Sequence, residues 1–374
     1  MRFETFRMER MQSVWENRVR FNLSESGVKP LRLGEILDPA TLGDTALGYP
    51  QTSGSDELRE LVSDLYPGSD ASNVIVTNGT AEANFISVLN LVEPGDDVVV
   101  MFPNYMQIWG LARSLKANVK PLPLREENNW RPDLDELAGA VNDKTRLIAI
   151  CNPNNPTGTM IRDDDLRDIC KVAGRVGAWI LSDEVYQGAE LGEEPSTTLW
   201  GWYDRLLVTC GLSKAYGLPG LRIGWVVAPV ERAEALWSYK DYTTIGPGAL
   251  SERLARVALE PKKRHEILER TRTILRGQLP VIEEWVAEQR GRFSLVPPQA
   301  GAIAYLRYDL DVSSTELVTR LRDEKSVLVV PGDHFGMDRY VRIGYGYDRD
   351  TLSKGLELFS ELLETLRSEV AAKP

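Results

Sequence analysis

Lys214 stands in 211-GLSKAYGLPGLRIGW-225, a stretch with no other charge until Arg222, eight residues further on. A lysine amine becomes a nucleophile or a base when poor hydration or a nearby cation lowers its pKa and frees the lone pair. Small and apolar neighbours and the fixed cation of Arg222 give Lys214 that setting, which suits an imine to a carbonyl compound. A solvated lysine in a plain turn fits the same residues, so other segments must decide. In 180-ILSDEVYQG-188 a buried apolar run ends in Asp183, with the phenol of Tyr186 three residues later. An aspartate there can hold a pyridine nitrogen protonated and make the ring an electron sink, or it can cap the next turn. In 77-TNGTAEANF-85, Gly79 and Thr80 open a helix after a strand, where backbone N–H groups and a hydroxyl suit a phosphate. Plain capping by Asn78 or Thr80 is the other reading. The proline-braced turn 151-CNPNNPTG-158 follows another buried strand and would lie at the same sheet edge.

The elements that must position these groups are legible as alternation. From residue 73, short β-branched runs (NVIVT, DDVVVM, RLIAIC, WILSDEVY, RLLVTC and RIGWVVA) are separated by longer amphipathic segments, with helices expected near Gly79 and Tyr105. Apolar runs separated by helices imply an α/β domain around a mostly parallel sheet. Residues 249–290 are charged and helix-rich, and FSLV, GAIAYLRY, VLVVP and YVRIGY with helices near 313–324 and 349–368 imply a second, smaller α+β unit. A chain of 374 residues has room for two such units.

Composition removes several classes of function. The formal charge is −11 and no basic run occurs, so nucleic acid is not an expected partner. No apolar stretch approaches a membrane span, and MRFETFRMERMQ lacks the apolar core of a signal peptide, so no membrane partner and a cytoplasmic location are expected. Cys151, Cys170 and Cys210 are widely spaced, which suits buried thiols rather than a metal site or disulfides. Only His265 and His334 are present, too few for multi-histidine metal chemistry, leaving Lys, Asp, Glu and Tyr for acid-base work.

Read in order, GYPQTSG (48–54), TNGTAEAN, FPNYMQIWG (102–110), CNPNNPTG, SDEVYQG, SKAYGLPGLRIGW and RYVRIGYG (339–346) resemble the motifs of the fold-type I, pyridoxal 5′-phosphate-dependent aminotransferases of class I and II, the aspartate aminotransferase-like superfamily. The resemblance spans about residues 20–370. It implies a large cofactor-binding domain over 46–275, and a small domain from 1–45, which carries the substrate-entry segment, together with 276–374. It implies that Lys214 is the Schiff-base lysine and proton shuttle, that Asp183 faces the pyridine nitrogen, and that Tyr186 and Asn155 bond to the 3′ oxygen. Tyr105 would stack on the ring. Gly79, Thr80, Ala81, Ser213 and Arg222 would hold the phosphate, joined by Tyr49 from the other subunit of a homodimer with shared active sites. Arg342 would clamp the substrate α-carboxylate, with Asn155 beside it and Gly27 in the mobile segment that closes over it.

The implied activity is transfer of an amino group from an α-amino acid to a 2-oxo acid. The same parts serve elimination, decarboxylation, oxidation or cyclisation. NLSESGVKPL (22–31) is similar to the segment of capreomycidine synthase-like members that act on arginine derivatives, where Glu25 could face a cationic side chain or simply sit in the entry loop. A non-catalytic ligand-sensing module is a further alternative, opposed by the intact lysine, aspartate and arginine. Two departures stand out. Gly211 replaces the serine that many members use as a further phosphate donor, and 238-SYKDYTTIGPG-248 offers no clear second arginine for a side-chain carboxylate.

Overall fold

Val74–Thr77, Asp97–Phe102 and Thr145–Cys151 are almost wholly buried, which suits strands covered by helices on both sides. In the computed structural model of the chain, which describes residues 2–371, they join a seven-stranded sheet. Its order is Val74–Thr77, Gly224–Val227, Leu206–Gly211, Trp179–Asp183, Thr145–Cys151, Asp97–Phe102, Asn118–Pro123. All pairings are parallel except the two made by Gly224–Val227, so the expected α/β class with a mostly parallel sheet is the one formed. Side chains alternate between two apolar cores. Val99, Ile148, Ile180 and Val208 belong to one, while Val98, Leu147, Leu181 and Leu207 belong to the other.

The edge strand Asn118–Pro123 was not among the expected strands. Its residues are mostly part-exposed and include two prolines, which an edge tolerates and a central strand does not. A second sheet, antiparallel throughout, has the order Val330–Pro331, Tyr340–Gly344, Ile303–Tyr308, Phe293–Leu295 and carries the helices Ser314–Lys325 and Arg349–Ala371. The run VLVVP is divided: Val327–Leu328 pairs in parallel with Phe21–Asn22, and only Val330–Pro331 joins the larger sheet. The N-terminal residues are thereby tied to this second unit, and Leu23 extends the link through bonds to Leu328 and Gly344. The helix Pro261–Glu288 runs unbroken through residue 275, where the sequence suggested a domain boundary. Met1 and residues 372–374, assigned above to the small domain, lie outside the described residues.

Strand direction explains why distant motifs meet. The parallel strands all end at one edge, so the segments after Thr77, Phe102, Cys151, Asp183 and Gly211 emerge side by side. The antiparallel strand starts at that edge, which brings Arg222, two residues before Gly224, to the same place. Gly211, Gly224 and Thr77 are level in register. The helix Thr80–Leu91 then seats directly on Gly224, where a Cβ would lie 2.5 Å from both Gly79 C and Thr80 N. Gly224→Ala should therefore lower unfolding free energy by about 1–3 kcal/mol, the usual cost of overpacking, as a reduced urea midpoint with unchanged slope. An unshifted midpoint would show that this contact is not tight.

Candidate active site

At the shared sheet edge lies a cavity of about 330 Å³. Ten of the candidate site residues singled out from sequence line it: Glu25, Thr80, Ala81, Tyr105, Asn155, Asp183, Tyr186, Ser213, Lys214 and Arg222. Gly79 sits against Arg222, since a Cβ there would collide with the guanidinium, and its φ of 81° suits glycine. Gly27 packs on the lysine, where a Cβ would lie 3.3 Å from Ser213 O and 3.6 Å from Lys214 Cδ.

One end of the cavity is built for an anion. The helix Thr80–Leu91 begins there with no side chain capping it. Thr80 Oγ1 is buried without a partner, and Arg222 Nη1 lies 3.4 Å from Ser213 Oγ. The absence of a serine at 211 has a steric reason: a Cβ on Gly211 would fall 2.6 Å from Thr80 Oγ1 and 2.9 Å from Ile223 O.

Deeper in, the Asp183 carboxylate accepts from Asn84 Nδ2 at 2.9 Å and Val185 N at 3.2 Å, and Asn84 is held in turn by Thr209 Oγ1 at 2.7 Å. Burial raises the Asp183 pKa from 3.8 to about 6, against the lowering effects of Asn84, Val185 and Lys214. Tyr186 is buried and its phenol is pushed up by desolvation.

The second sheet supplies Arg342, 1% exposed, on the strand Tyr340–Gly344. Its Nη1 donates to Asn155 Oδ1 at 2.9 Å and its Nη2 to Ser24 O at 2.6 Å, while Nε has no partner. Its charge is close enough to Tyr186, Glu25, Glu9 and Tyr105 for each to act on it. A primary amine, a buried carboxylate and an anion cradle thus line one cavity, and the buried Arg342 guanidinium, which is not itself a lining group, bonds to Asn155 of its wall.

The sequence profile described as aminotransferase class I and II matches residues 17–359. The chain belongs to that family. It is 36% identical over 356 residues to a capreomycidine synthase of Streptomyces vinaceus, covering 92% of this chain and 90% of that one. It is 29% identical to an aspartate aminotransferase of Pyrococcus horikoshii, covering 84% and 83%. Among solved structures, a PLP-dependent aminotransferase from Streptococcus suis superposes with a TM-score of 0.92 at 34% identity, covering 98% of this chain and 99% of that one. The PLP-dependent cyclase OrfR superposes with a TM-score of 0.90 at 27% identity, covering 98% of each. The chain is an enzyme of the PLP-dependent, aminotransferase-like family, and its cofactor is pyridoxal 5′-phosphate. The residues fit that group: the unpartnered Thr80 hydroxyl and the Arg222 guanidinium suit its phosphate, and the buried Asp183 carboxylate suits a protonated ring nitrogen.

Against the family pattern, some residues fall elsewhere. Tyr49 is 89% exposed and does not line this cavity. Neither do Tyr239, Lys240 and Asp241; Lys240 is buried and donates to Thr52 O. Other cavity residues escaped the sequence reading. Asn84 does so because nothing in TNGTAEANF marks its turn towards Asp183. The helix Arg7–Trp15 and its C-cap bring Glu9, Gln12, Ser13 and Glu16 to the wall, spaced i, i+3, i+4, i+7. Polar residues on a single helical face were the available signal.

A carboxyl pKa raised on folding opposes stability as pH increases: the folded form keeps the proton that the unfolded chain releases. For Asp183 the penalty is absent below about pH 4 and complete above about pH 6. In protein prepared free of cofactor, wild type should lose on the order of 3 kcal/mol relative to Asp183→Asn between pH 4 and 7, measured by urea unfolding at each pH. The comparison isolates Asp183 from buried Glu184, whose pKa of about 7 acts in the same direction in both proteins. A difference that does not vary with pH would remove the case for a desolvated carboxylate.

Proposed function

We propose that the enzyme is an aminotransferase that moves the amino group of an α-amino acid to a 2-oxo acid. The reading is carried by Lys214 and Asp183 lining one cavity, with Arg342 bonded to Asn155 in its wall. When bound, pyridoxal 5′-phosphate supplies an aldehyde that joins to amines and a ring that withdraws electron density. Gly79, Thr80, Ala81, Ser213 and Arg222 would hold its phosphate, Tyr105 would lie against its ring, and Asp183 would keep the ring nitrogen protonated. Asn155 accepts from Arg342 through Oδ1, which leaves its amide N–H groups to join Tyr186 in donating to the ring oxygen.

Arg342, with Asn155, holds the substrate α-carboxylate, and Gly27 closes the segment above. Fixing the carboxylate fixes which bond at Cα stands perpendicular to the ring, and the proton is the group lost when that bond is Cα–H. Lys214 is the residue that would take this proton from Cα. A second reading, elimination or ring closure after the same proton removal, is supported by the likeness to capreomycidine synthase and to the cyclase OrfR. Cytoplasmic location and the division into 46–275 against 1–45 with 276–374 belong to the same proposal.

The proposal includes a homodimer. Tyr49, Leu47, Tyr242 and Ile245 are exposed apolar side chains on neighbouring segments, because Trp237 and Lys240 both bond to Thr52. A second copy covering this surface would bring Tyr49 to a phosphate site other than its own.

Two outcomes are expected. Borohydride treatment of the cofactor-loaded enzyme should leave the cofactor covalently attached to Lys214 by peptide mapping, and Lys214→Ala should turn over no amino acid. Without a 2-oxo acid acceptor, a transaminase stops after one equivalent of keto acid per site, whereas continued turnover identifies elimination or ring closure; attachment at another lysine defeats both readings. Separately, Tyr49→Ala and Lys214→Ala subunits, each inactive alone, should regain activity on mixing, because one of the two sites in a hybrid dimer carries neither lesion. Verified hybrids without recovery would remove Tyr49 from the site.

A further inference from the structure

Asn84 is a polar residue on a largely apolar helix. Ala83, Ile86, Val88 and Leu91 of Thr80–Leu91 lie in an apolar core, whereas Asn84 is 1% exposed and lines the reaction cavity. A buried amide is costly unless its hydrogen-bonding groups are met, and here they are met. Asn84 Oδ1 accepts from Thr209 Oγ1 at 2.7 Å, and Nδ2 donates to Asp183 Oδ2 at 2.9 Å. Nδ2 also faces Gln107 Oε1 at 3.4 Å, and Gln107 Nε2 donates to Ala81 O at 2.8 Å, in the first turn of the same helix. Thr209 is buried and stands opposite Asp183 on the adjacent strand, so sheet register sets the spacing of these groups.

The chemistry of the partners leaves this amide one orientation. An ionised carboxylate only accepts, so the amide nitrogen must face Asp183; the oxygen then faces Thr209, whose hydroxyl must donate. Thr209 thereby keeps the amide from turning its oxygen towards Asp183, where two acceptors would meet. Asn84 carries no charge. A lysine or arginine at the same point would pair with the carboxylate and compete with a protonated ring nitrogen, whereas an amide stabilises the anion and leaves it free to act on a cation. Burial raises the Asp183 pKa, and the Asn84 bond is the largest of the influences that oppose it. Without that donor the carboxylate is more basic and takes a larger share of any proton it holds in common with the ring.

We propose that Asn84 is a positioning residue of the reaction, held by Thr209 so that it keeps Asp183 oriented and ionised and the proton on the cofactor's ring nitrogen. This deepens the proposed role of Asp183 and rests on it. The effect of Asn84 passes through the carboxylate. Protonation of the ring nitrogen governs how strongly the ring withdraws electrons, so loss of Asn84 slows the removal of the Cα proton. That step is common to transamination, elimination and ring closure, and the proposal therefore holds whichever of them follows. The link through Gln107 to Ala81 O places the phosphate cradle at the other end of the same bonded chain, so the contacts for ring and phosphate are ordered together.

The test reads the ring nitrogen directly, by nitrogen NMR at neutral pH on enzyme loaded with pyridoxal 5′-phosphate isotope-labelled at that atom. Wild type should show a protonated nitrogen. Asn84→Leu, similar in shape but without polar groups, should move the resonance towards the unprotonated position and lower kcat about tenfold or more with little change in KM. Thr209→Val, which frees the amide to turn, should move it the same way by a smaller amount. A second readout needs no cofactor. The pH range over which Asp183 lowers stability, taken from the comparison with Asp183→Asn, should extend upward by about one pH unit when both proteins also carry Asn84→Leu, because the folded form then keeps the proton to a higher pH. A ring resonance or a pH range unchanged in folded Asn84→Leu, even with a lower urea midpoint, would mark a purely structural asparagine and overturn the proposal. If Asn84→Leu does not fold, the ring resonance of Thr209→Val decides in the same way. Should Asp183→Ala leave the ring resonance as in wild type, the role of Asp183 falls and this proposal with it; should Asp183→Ala move the resonance while the Asn84 and Thr209 variants do not, this proposal alone falls.

Discussion

The site depends on the direct contact between the start of one helix and the end of one strand. Gly224 brings the backbone of Gly79 and Thr80 so close that even a methyl group has no room, and Gly211 leaves the same clearance beneath the Thr80 hydroxyl. Three chain segments far apart in sequence are locked at one height by this packing: the helix N-terminus, the Ser213–Lys214 turn and Arg222. Because the antiparallel strand enters the sheet where its parallel neighbours leave it, a cation and an amine eight residues apart return to the same edge. An anion bound there meets N–H groups, hydroxyls and a guanidinium that were ordered during folding, so little reorganisation is needed on binding.

Folding opposes itself elsewhere in the cavity. Asp183 and Arg342 are both buried, each with its charged form disfavoured by desolvation, and they bond to different partners rather than to each other. Direct pairing would lessen both penalties. Asn84 and Thr209 behind the carboxylate, and Asn155 with Ser24 beside the guanidinium, supply neutral partners that fix geometry without cancelling charge. Unpaired charge of this kind is characteristic of sites tuned for ligands of the opposite sign.

The cofactor end of the site was readable in sequence because its residues follow buried strands, whose apolar runs announce themselves. Each strand end delivers one motif, and parallel topology does the rest. Arg342 was found through the family pattern in RYVRIGYG, although composition alone gives no reason for an arginine at that point. Legibility failed where polarity masks structure. Asn118–Pro123 is an edge strand with two prolines and little burial, and the N-terminal helix presents a polar face to a cavity while only Met8 and Met11 reach the core. No helix was expected over Arg7–Trp15, and the reason for its polar face requires the tertiary arrangement. Tyr49 is a different case, since a side chain 89% exposed acquires meaning only against a second copy.

These two halves of the cavity differ in what they can decide. The sheet edge provides the amine, the ring partner and the phosphate cradle, all of which serve any reaction that begins with loss of the Cα proton. They do not separate transamination from elimination or ring closure, so similarity along this part of the chain carries the family and stops there. The outcome after proton loss depends on what the side chain bears and how it is held. Glu9 and Glu16, which line the same cavity, precede the segment matched by the family profile. The helix that carries them is anchored by Met8 in the apolar core and by Gln12 to Ser24, so its other polar residues can differ while those anchors stay.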